Sequence, residues 1–309
     1  MKELSGLGVS NETLQSPMAK WTAEEIAVRR AKRQERRDKQ RLANVGRAAK
    51  MRAVRLAYEA HRPAAQAAHR RKSRIHIGCS GWFYWHWRGI FYPKGLPTKR
   101  WFAHYAQHFR TVELNAPFYS WPTVNTVISW KKQAGRRKFI YAVKVCELIT
   151  HVKRFARTGT FVRDFGHIAD LLGEHFGCFL FQLPPSFHFT RARLRNIVSQ
   201  LEPTRKNVVE FRHKSWWNEA TYAAFRDNGI IFCSCSAPRL PDELIKTDDD
   251  VYVRFHGTTQ WYRHDYSNEE LRVWARRIKS SKAKEVWAYF NNDRDGNAIC
   301  NGRSLAKLL

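Results

Sequence analysis

From residue 75 onward the chain alternates short runs of β-branched, aromatic and apolar residues with longer stretches of helical period. Eight short runs read as strands, at 75–80, 111–115, 139–145, 178–183, 208–212, 230–236, 251–256 and 285–291. Helical segments are expected between them, at about 98–109, 122–134, 161–175, 190–201, 217–227, 241–245, 267–279 and 303–309. Strict alternation of this kind makes βαβ units on a parallel sheet, and eight such units close into a (β/α)8, or TIM, barrel. The 235 residues from 75 to 309 come close to the roughly 250 typical of that α/β architecture. An open doubly wound sheet is the alternative, but no glycine-rich phosphate loop follows the first run.

Side chains alternate across a strand, and strands covered on both faces should be apolar almost throughout. Here one face turns polar toward the C-terminal end of strand after strand. Glu113 and Asn115 share a face in the second run, Lys144 follows Ile140 and Ala142, and Gln182 follows Cys178 and Leu180. Glu210 and Arg212 follow Val208, and Arg254 and His256 follow Tyr252. The intervening Val143, Phe181, Phe211, Val253 and Phe255 suit packing beneath helices. Placed inward, the polar face gathers Glu113, Lys144, Gln182, Glu210, Arg212, Arg254 and His256 in the upper barrel, the end where enzymes of this architecture keep their sites. Two carboxylates then face three cations, which must be paired or must meet a ligand. The surplus positive charge points to an anionic substrate. An internal ion-pair lattice that merely closes the barrel is the competing reading of the same residues.

Residues 1–74 differ in kind, with Trp21 and Tyr58 as their only aromatic residues. They carry 19 basic and 7 acidic side chains, or +12 of the formal +28, which leaves +16 on the rest. The boundary is placed near Ser73, dividing a basic N-terminal arm at 1–74, helical or disordered, from the barrel at 75–309. Thr22 with Glu25 spells a capping box and Trp21 can staple onto Ile26, with helix formers continuing to about Leu42 before Gly46 and Pro63 interrupt. The apolar stripe is thin, so the arm should not fold stably alone. Its charge favours polyanions through counterion release. Nucleic-acid contact through residues 1–74 is one expectation and solvated charge the other.

No stretch approaches the roughly 18 consecutive apolar residues of a membrane span, and no secretory core opens the chain. A soluble, cytoplasmic protein without membrane contact is expected. Cys79, Cys146, Cys178, Cys233, Cys235 and Cys300 are dispersed through a large domain and read as reduced thiols. Cys233 and Cys235 face one way on the sixth run, but no CxxC or histidine spacing completes a metal site. Neither a metal nor a cofactor is expected.

The run Ile77-Gly78-Cys79-Ser80-Gly81-Trp82, followed by Trp87-Arg88-Gly89 and Phe91-Tyr92-Pro93, resembles the opening of the YecE-like family, barrel proteins that form a domain of unknown function. Matches continue in order through Thr111-Val112-Glu113-Leu114-Asn115 with Phe118-Tyr119, Ala142-Val143-Lys144, Ile149-Thr150-His151 and Phe181-Gln182-Leu183-Pro184-Pro185. They end with Glu210-Phe211-Arg212-His213, Val253-Arg254-Phe255-His256-Gly257 and Tyr289-Phe290-Asn291-Asn292-Asp293. The resemblance implies the barrel and carries no reaction with it. Cys235-Ser236-Ala237-Pro238 stands where the family tends to have an Asp-Ser-Pro-like end, removing an acidic group.

The catalytic candidates are Glu113 and Glu210 as acid or base, Lys144 as a desolvated base or carbonyl nucleophile, and His256 as their titratable neighbour. Candidate substrate contacts are Ser80, Trp82, Asn115, Tyr119, His151, Gln182, Arg212, Arg254, Asn291 and Asn292, with the two arginines suited to an anion. The basic loop at 147–160 suits a lid, an anion contact or a solvated surface, and Trp82, Tyr84, Trp85 and Trp87 suit either a stacking platform or core cover. The expected function is acid–base catalysis on a small phosphate- or carboxylate-bearing substrate at the C-terminal rim. The alternative is a noncatalytic nucleic-acid or ribonucleoprotein binding module using the arm and the basic barrel surface.

Overall fold

The computed structural model describes residues 22–61 and 75–309. In chain order these form α1 (Ala23–Ala60), β1 (Ile75–Cys79), α2 (Trp101–His108), β2 (Thr111–Leu114), α3 (Ala116–Tyr119), α4 (Val124–Ala134), β3 (Ile140–Lys144) and α5 (Gly159–Leu172). There follow β4 (Phe176–Gln182), α6 (Arg191–Val198), β5 (Asn207–Glu210), α7 (Glu219–Asp227), β6 (Ile230–Ser236), β7 (Val251–Phe255), α8 (Asn268–Ser280), β8 (Val286–Phe290) and α9 (Asn297–Leu308). Helices start where side-chain oxygens of Thr123, Thr190, Asn218 and Ser267 accept backbone N–H groups of the first turn. Gly135 and Gly173, both at positive φ, end α4 and α5.

All ladders are parallel, running β1-β8-β7-β6-β5-β4-β3-β2 in a nearly closed TIM-type barrel. Alternate residues fill its interior: Ala142, Cys178, Leu180, Val208, Ile231, Cys233, Cys235, Tyr252, Trp287 and Tyr289 form one buried cluster. Their neighbours Val143, Phe181, Phe211, Val253 and Phe255 belong to the outer cluster under the helices. The β1–β2 seam is bridged by a side chain. The Tyr105 hydroxyl on α2 accepts the Cys79 N–H at 2.9 Å and donates to the Thr111 carbonyl at 3.0 Å. Gly78 permits the approach, since a Cβ there would lie 2.4 Å from that carbonyl.

Two expectations fail. No helix forms at 241–245; Pro238, Pro241 and a left-handed Arg239 break the turn, and the segment instead lies along β6. There Ile245 N–H donates to Ser234 Oγ at 2.9 Å, and Thr247 Oγ1 accepts Phe232 N–H and donates to the Ile230 carbonyl at 2.7 Å.

Nor does the N-terminal helix end near Leu42. The capping box at Thr22 and Glu25 is formed, with bonds of 2.8 and 3.2 Å, but α1 continues unbroken through the exposed Gly46 to Ala60. The partner of the proposed staple, Trp21, and the Pro63 break lie outside the described residues. Length is sustained by tertiary contact, as expected of a weakly amphipathic helix. Asn44, Ala48, Met51 and Arg55 are buried on one face. Asn44 Nδ2 donates to the Tyr119 carbonyl at 3.1 Å while its Oδ1 accepts the Trp121 N–H at 2.9 Å. Arg52 and Arg55 both pair with the fully buried Asp164 of α5. The compact unit that holds the barrel accordingly begins at Arg41, upstream of the compositional boundary near Ser73.

Candidate functional site

Each strand that ends in a polar inward residue delivers it to the same rim. Arg254 of β7 spans the mouth: its Nη2 donates to Glu113 Oε1 of β2 and its Nη1 to Glu210 Oε2 of β5, each at 2.6 Å. The second oxygen of Glu113 accepts the Tyr252 hydroxyl at 2.6 Å, and the second oxygen of Glu210 accepts Arg212 Nε. Both carboxylates are fully buried, so these charge-assisted bonds replace water outright. His256 closes the group, its Nε2 3.2 Å from Arg212 Nη2 and 3.4 Å from Glu210 Oε1, with Asn291 3.2 Å from its Nδ1.

Electrostatics follow from that pairing. Burial pushes the Glu210 carboxyl up, but Arg212 and Arg254 outweigh it and hold it well below the usual carboxylate range. Burial and the same two guanidiniums push His256 well below an ordinary imidazole. Burial and Glu113 raise the Tyr252 phenol. Two carboxylates thus meet two guanidiniums, and the lattice is balanced without any further group.

Lys144, at the tip of β3, stands beside this lattice and outside its bonding. Among the described residues it makes no hydrogen bond and no ion pair, although it is only 8% exposed. Its Nζ lies 3.9 Å from the centroid of the Phe118 ring. Burial first, then Arg254, lower its amine to about 7; Glu210 opposes them, Arg212 adds to the lowering, and Glu113 opposes least. His151 packs edge-on against the same Phe118 ring at 4.9 Å. Burial, Lys144 and Arg212 lower His151 to about 4. The backbone carrying His151 makes a π-type turn, with Lys153 N–H donating to the Leu148 carbonyl at 3.0 Å. Arg154, Phe155 and Arg157 follow at positive φ, a local concentration of strain beside the site.

The remaining candidates divide. Ser80 and Asn115 meet at the β1–β2 rim, where Asn115 Nδ2 donates to the Ser80 carbonyl at 2.9 Å. Ser80 Oγ and Asn115 Oδ1 are buried there with no partner among the described residues, unmet capacity that a ligand group would satisfy. Gln182 is buried and donates to the Leu183 carbonyl at 2.8 Å. Tyr119 is exposed at the rim against Phe118. Trp82 packs on Phe102 of α2, and Asn292 donates to the His264 carbonyl and Asn301 Oδ1, both at 2.7 Å, so neither joins the bonded group. Of the aromatic patch, Trp87 is fully buried and Trp85 largely exposed.

Three participants were not singled out from the sequence. Tyr252 shares the inward parity of Arg254 and was legible on that ground. Trp261, whose ring lies 4.5 Å from the Arg212 guanidinium, comes from a loop, and Phe118 from the one-turn helix α3, too short to show a period. One set of metal-type donors exists among the described residues: Glu210, Cys233 and Cys235 place ligand atoms within 4.8 Å of one another. Both oxygens of Glu210 are already bound to guanidiniums, and a divalent ion would face Arg212 and Arg254 directly, so this donor set does not suit one.

Comparison with known proteins matches residues 76–309 to a family described as a protein of unknown function, DUF72. The UPF0759 protein YunF of Bacillus subtilis is 27% identical over 283 residues, covering 76% of this chain and 94% of that protein. The crystal structure of a DUF72 family protein from Thermotoga maritima superposes with a TM-score of 0.69 at 28% identity, over 76% of this chain and 98% of that one. A DUF72 family protein from Enterococcus faecalis, 21% identical, gives 0.65 over 76% and 95%, and shares the fold.

Proposed function

The chain belongs to the DUF72 family of proteins of unknown function, and from that premise we propose that it is an enzyme acting by acid–base chemistry on a small anionic substrate at the C-terminal rim of its barrel. One observation carries the reading: Lys144, only 8% exposed, has no counter-ion among the described residues and stands beside a lattice whose carboxylates are already satisfied. A lysine held for structure alone would be expected to carry a partner, because an unpaired buried ammonium is costly. With its amine near 7, Lys144 supplies a proton acceptor at neutral pH. Glu113 and Glu210, whose oxygens are occupied, set the potential of the mouth rather than exchange protons. Arg212, about 10% exposed at the opening, is placed to meet the substrate's anionic group. Ser80 Oγ and Asn115 Oδ1 offer free acceptors on the opposite side of the rim.

The test is thermal denaturation against a panel of phosphorylated and carboxylated metabolites, followed by turnover screens on every compound that stabilises. Stabilisation should vanish in Arg212→Met, and turnover in Lys144→Met with the fold intact. If no anion protects the wild-type protein, or if turnover survives Lys144→Met, the reading is wrong.

A second reading rests on α1, where Arg29, Arg30, Lys32, Arg33, Arg36, Arg37 and Lys39 are all exposed. It makes the protein a polyanion-binding module. Binding to RNA or DNA should then fall steeply with salt and disappear on deletion of residues 1–40, while Lys144→Met leaves it unchanged.

A further inference from the structure

We propose that Lys144 is a covalent catalyst, forming an imine with the carbonyl carbon of a small substrate that also carries a carboxylate or phosphate. The inference rests on the reading of Lys144 as the working group and adds both its chemistry and the substrate class.

Among the described residues Lys144 has no hydrogen bond or ion pair to hold it as an ammonium. Imine formation needs particular surroundings, and these are present. The amine must be unprotonated, and burial beside Arg254 and Arg212 favours that form. The cationic iminium that results needs a stabilising face, and the Phe118 ring lies 3.9 Å from Nζ. Proton transfer to the departing oxygen needs a neutral relay nearby, and His151, on the other contact of the same ring, is uncharged at neutral pH. The anionic group of the substrate needs an anchor, which Arg212 supplies.

The step balances without a redox partner. The Nζ lone pair bonds to the carbonyl carbon and the C–O π electrons pass to oxygen, giving a carbinolamine once a proton moves from nitrogen to oxygen. The carbinolamine then releases that oxygen as water, with a second proton drawn from solvent, while the nitrogen lone pair forms the cationic C=N bond and Nζ keeps its remaining proton. One amine, one carbonyl and one proton become one iminium and one water. A neighbouring C–H or C–C bond of the substrate is thereby activated, because the iminium nitrogen accepts its electrons.

The experiment treats the full-length protein at neutral pH with sodium borohydride in the presence of pyruvate, dihydroxyacetone phosphate or the uncharged hydroxyacetone, and maps adducts by peptide mass spectrometry. The expected result is a stoichiometric adduct at Lys144 with pyruvate or dihydroxyacetone phosphate, formed while exposed lysines such as Lys99 and Lys279 stay unmodified. Which of the two reacts identifies carboxylate or phosphate as the anchored group. Lys144→Arg should abolish the adduct, and Arg212→Met should slow the anionic probe by about tenfold, roughly one charge-assisted contact, without affecting hydroxyacetone. Adducts spread over exposed lysines with Lys144 no more reactive than they are would overturn the proposal. If Lys144 stays unmodified while anions still stabilise the protein through Arg212, the imine falls and acid–base catalysis stands. If anions do not stabilise it either, both fall.

Discussion

Arg254 reaches Glu113 at 2.6 Å across the barrel mouth, joining positions 141 residues apart in the chain. Neither side chain has access to water, so the bond is a condition of folding as much as a feature of the site. Arg254→Met should cost about 3–5 kcal/mol in urea denaturation, because it leaves the buried Glu113 with the Tyr252 hydroxyl alone and Glu210 with Arg212 as its one guanidinium. Adding Glu113→Leu should restore part of that loss, the coupling expected of contacting residues. A single-variant cost below about 1 kcal/mol, the range of exposed ion pairs, would show that the network does not hold the barrel.

Lys144 predicts a pH dependence of stability with a definite sign. Below about pH 7 its amine is protonated in both folded and unfolded chains, and the penalty of burying the ammonium is felt in full. Between about 7 and 10.5 the folded protein holds the amine neutral while the unfolded chain keeps its proton. Stability relative to Lys144→Met should therefore rise with pH across that window, by an amount on the order of 5 kcal/mol. Paired denaturant titrations measure it, and a difference that stays flat from neutral to alkaline pH contradicts the burial of an unpaired amine.

Tyr105→Phe removes one oxygen and leaves two buried backbone groups, the Cys79 N–H and the Thr111 carbonyl, without the hydroxyl that joins them. A loss of about 1–3 kcal/mol is expected. Hydrogen exchange at Cys79 should accelerate more than exchange at Phe255, which lies on β7 away from the seam. Equal acceleration at both positions would mean general loosening and not an opened seam.

Truncation separates the two halves of α1. Deleting residues 1–40, which lie outside the compact unit of the barrel, should move the melting temperature by no more than about 2 °C. Deleting residues 1–60 removes both arginines from the buried Asp164 and both bonds of Asn44, and should cost about 3–5 kcal/mol. Calorimetry of the two proteins decides the matter. If they melt together, residues 41–60 contribute nothing to the fold.

The barrel was legible because a period of two survives on each strand. The polar tops of β2, β3, β5 and β7 could be assigned to one cavity from parity alone, and Tyr252 sat on the same face. The helix placed at 241–245 was not legible as a strap, since its hydrophobic residues fit either conformation until hydroxyls of Ser234 and Thr247 are seen to take the backbone bonds. The full length of α1 was hidden for a related reason. Two of its four buried residues, Asn44 and Arg55, are polar, so an apolar stripe could not reveal them. At the site, the sequence supplied two carboxylates and three cations but not their partition. Which cation stays unmatched depends on reach across the mouth, which the fold sets: Arg254 takes both acids and Lys144 takes neither.

The balance of Glu113, Glu210, Arg212 and Arg254 bears on how divergence among relatives is to be interpreted. A chain with no catalytic activity would still be penalised for changing any of these four residues, because each change leaves charge inside the barrel without its partner. Selection for a foldable polypeptide alone would therefore keep a quartet that looks like catalytic machinery. Invariance there is no measure of turnover; under the proposed chemistry, a lysine drifting freely at position 144 would mark a lineage that lacks it.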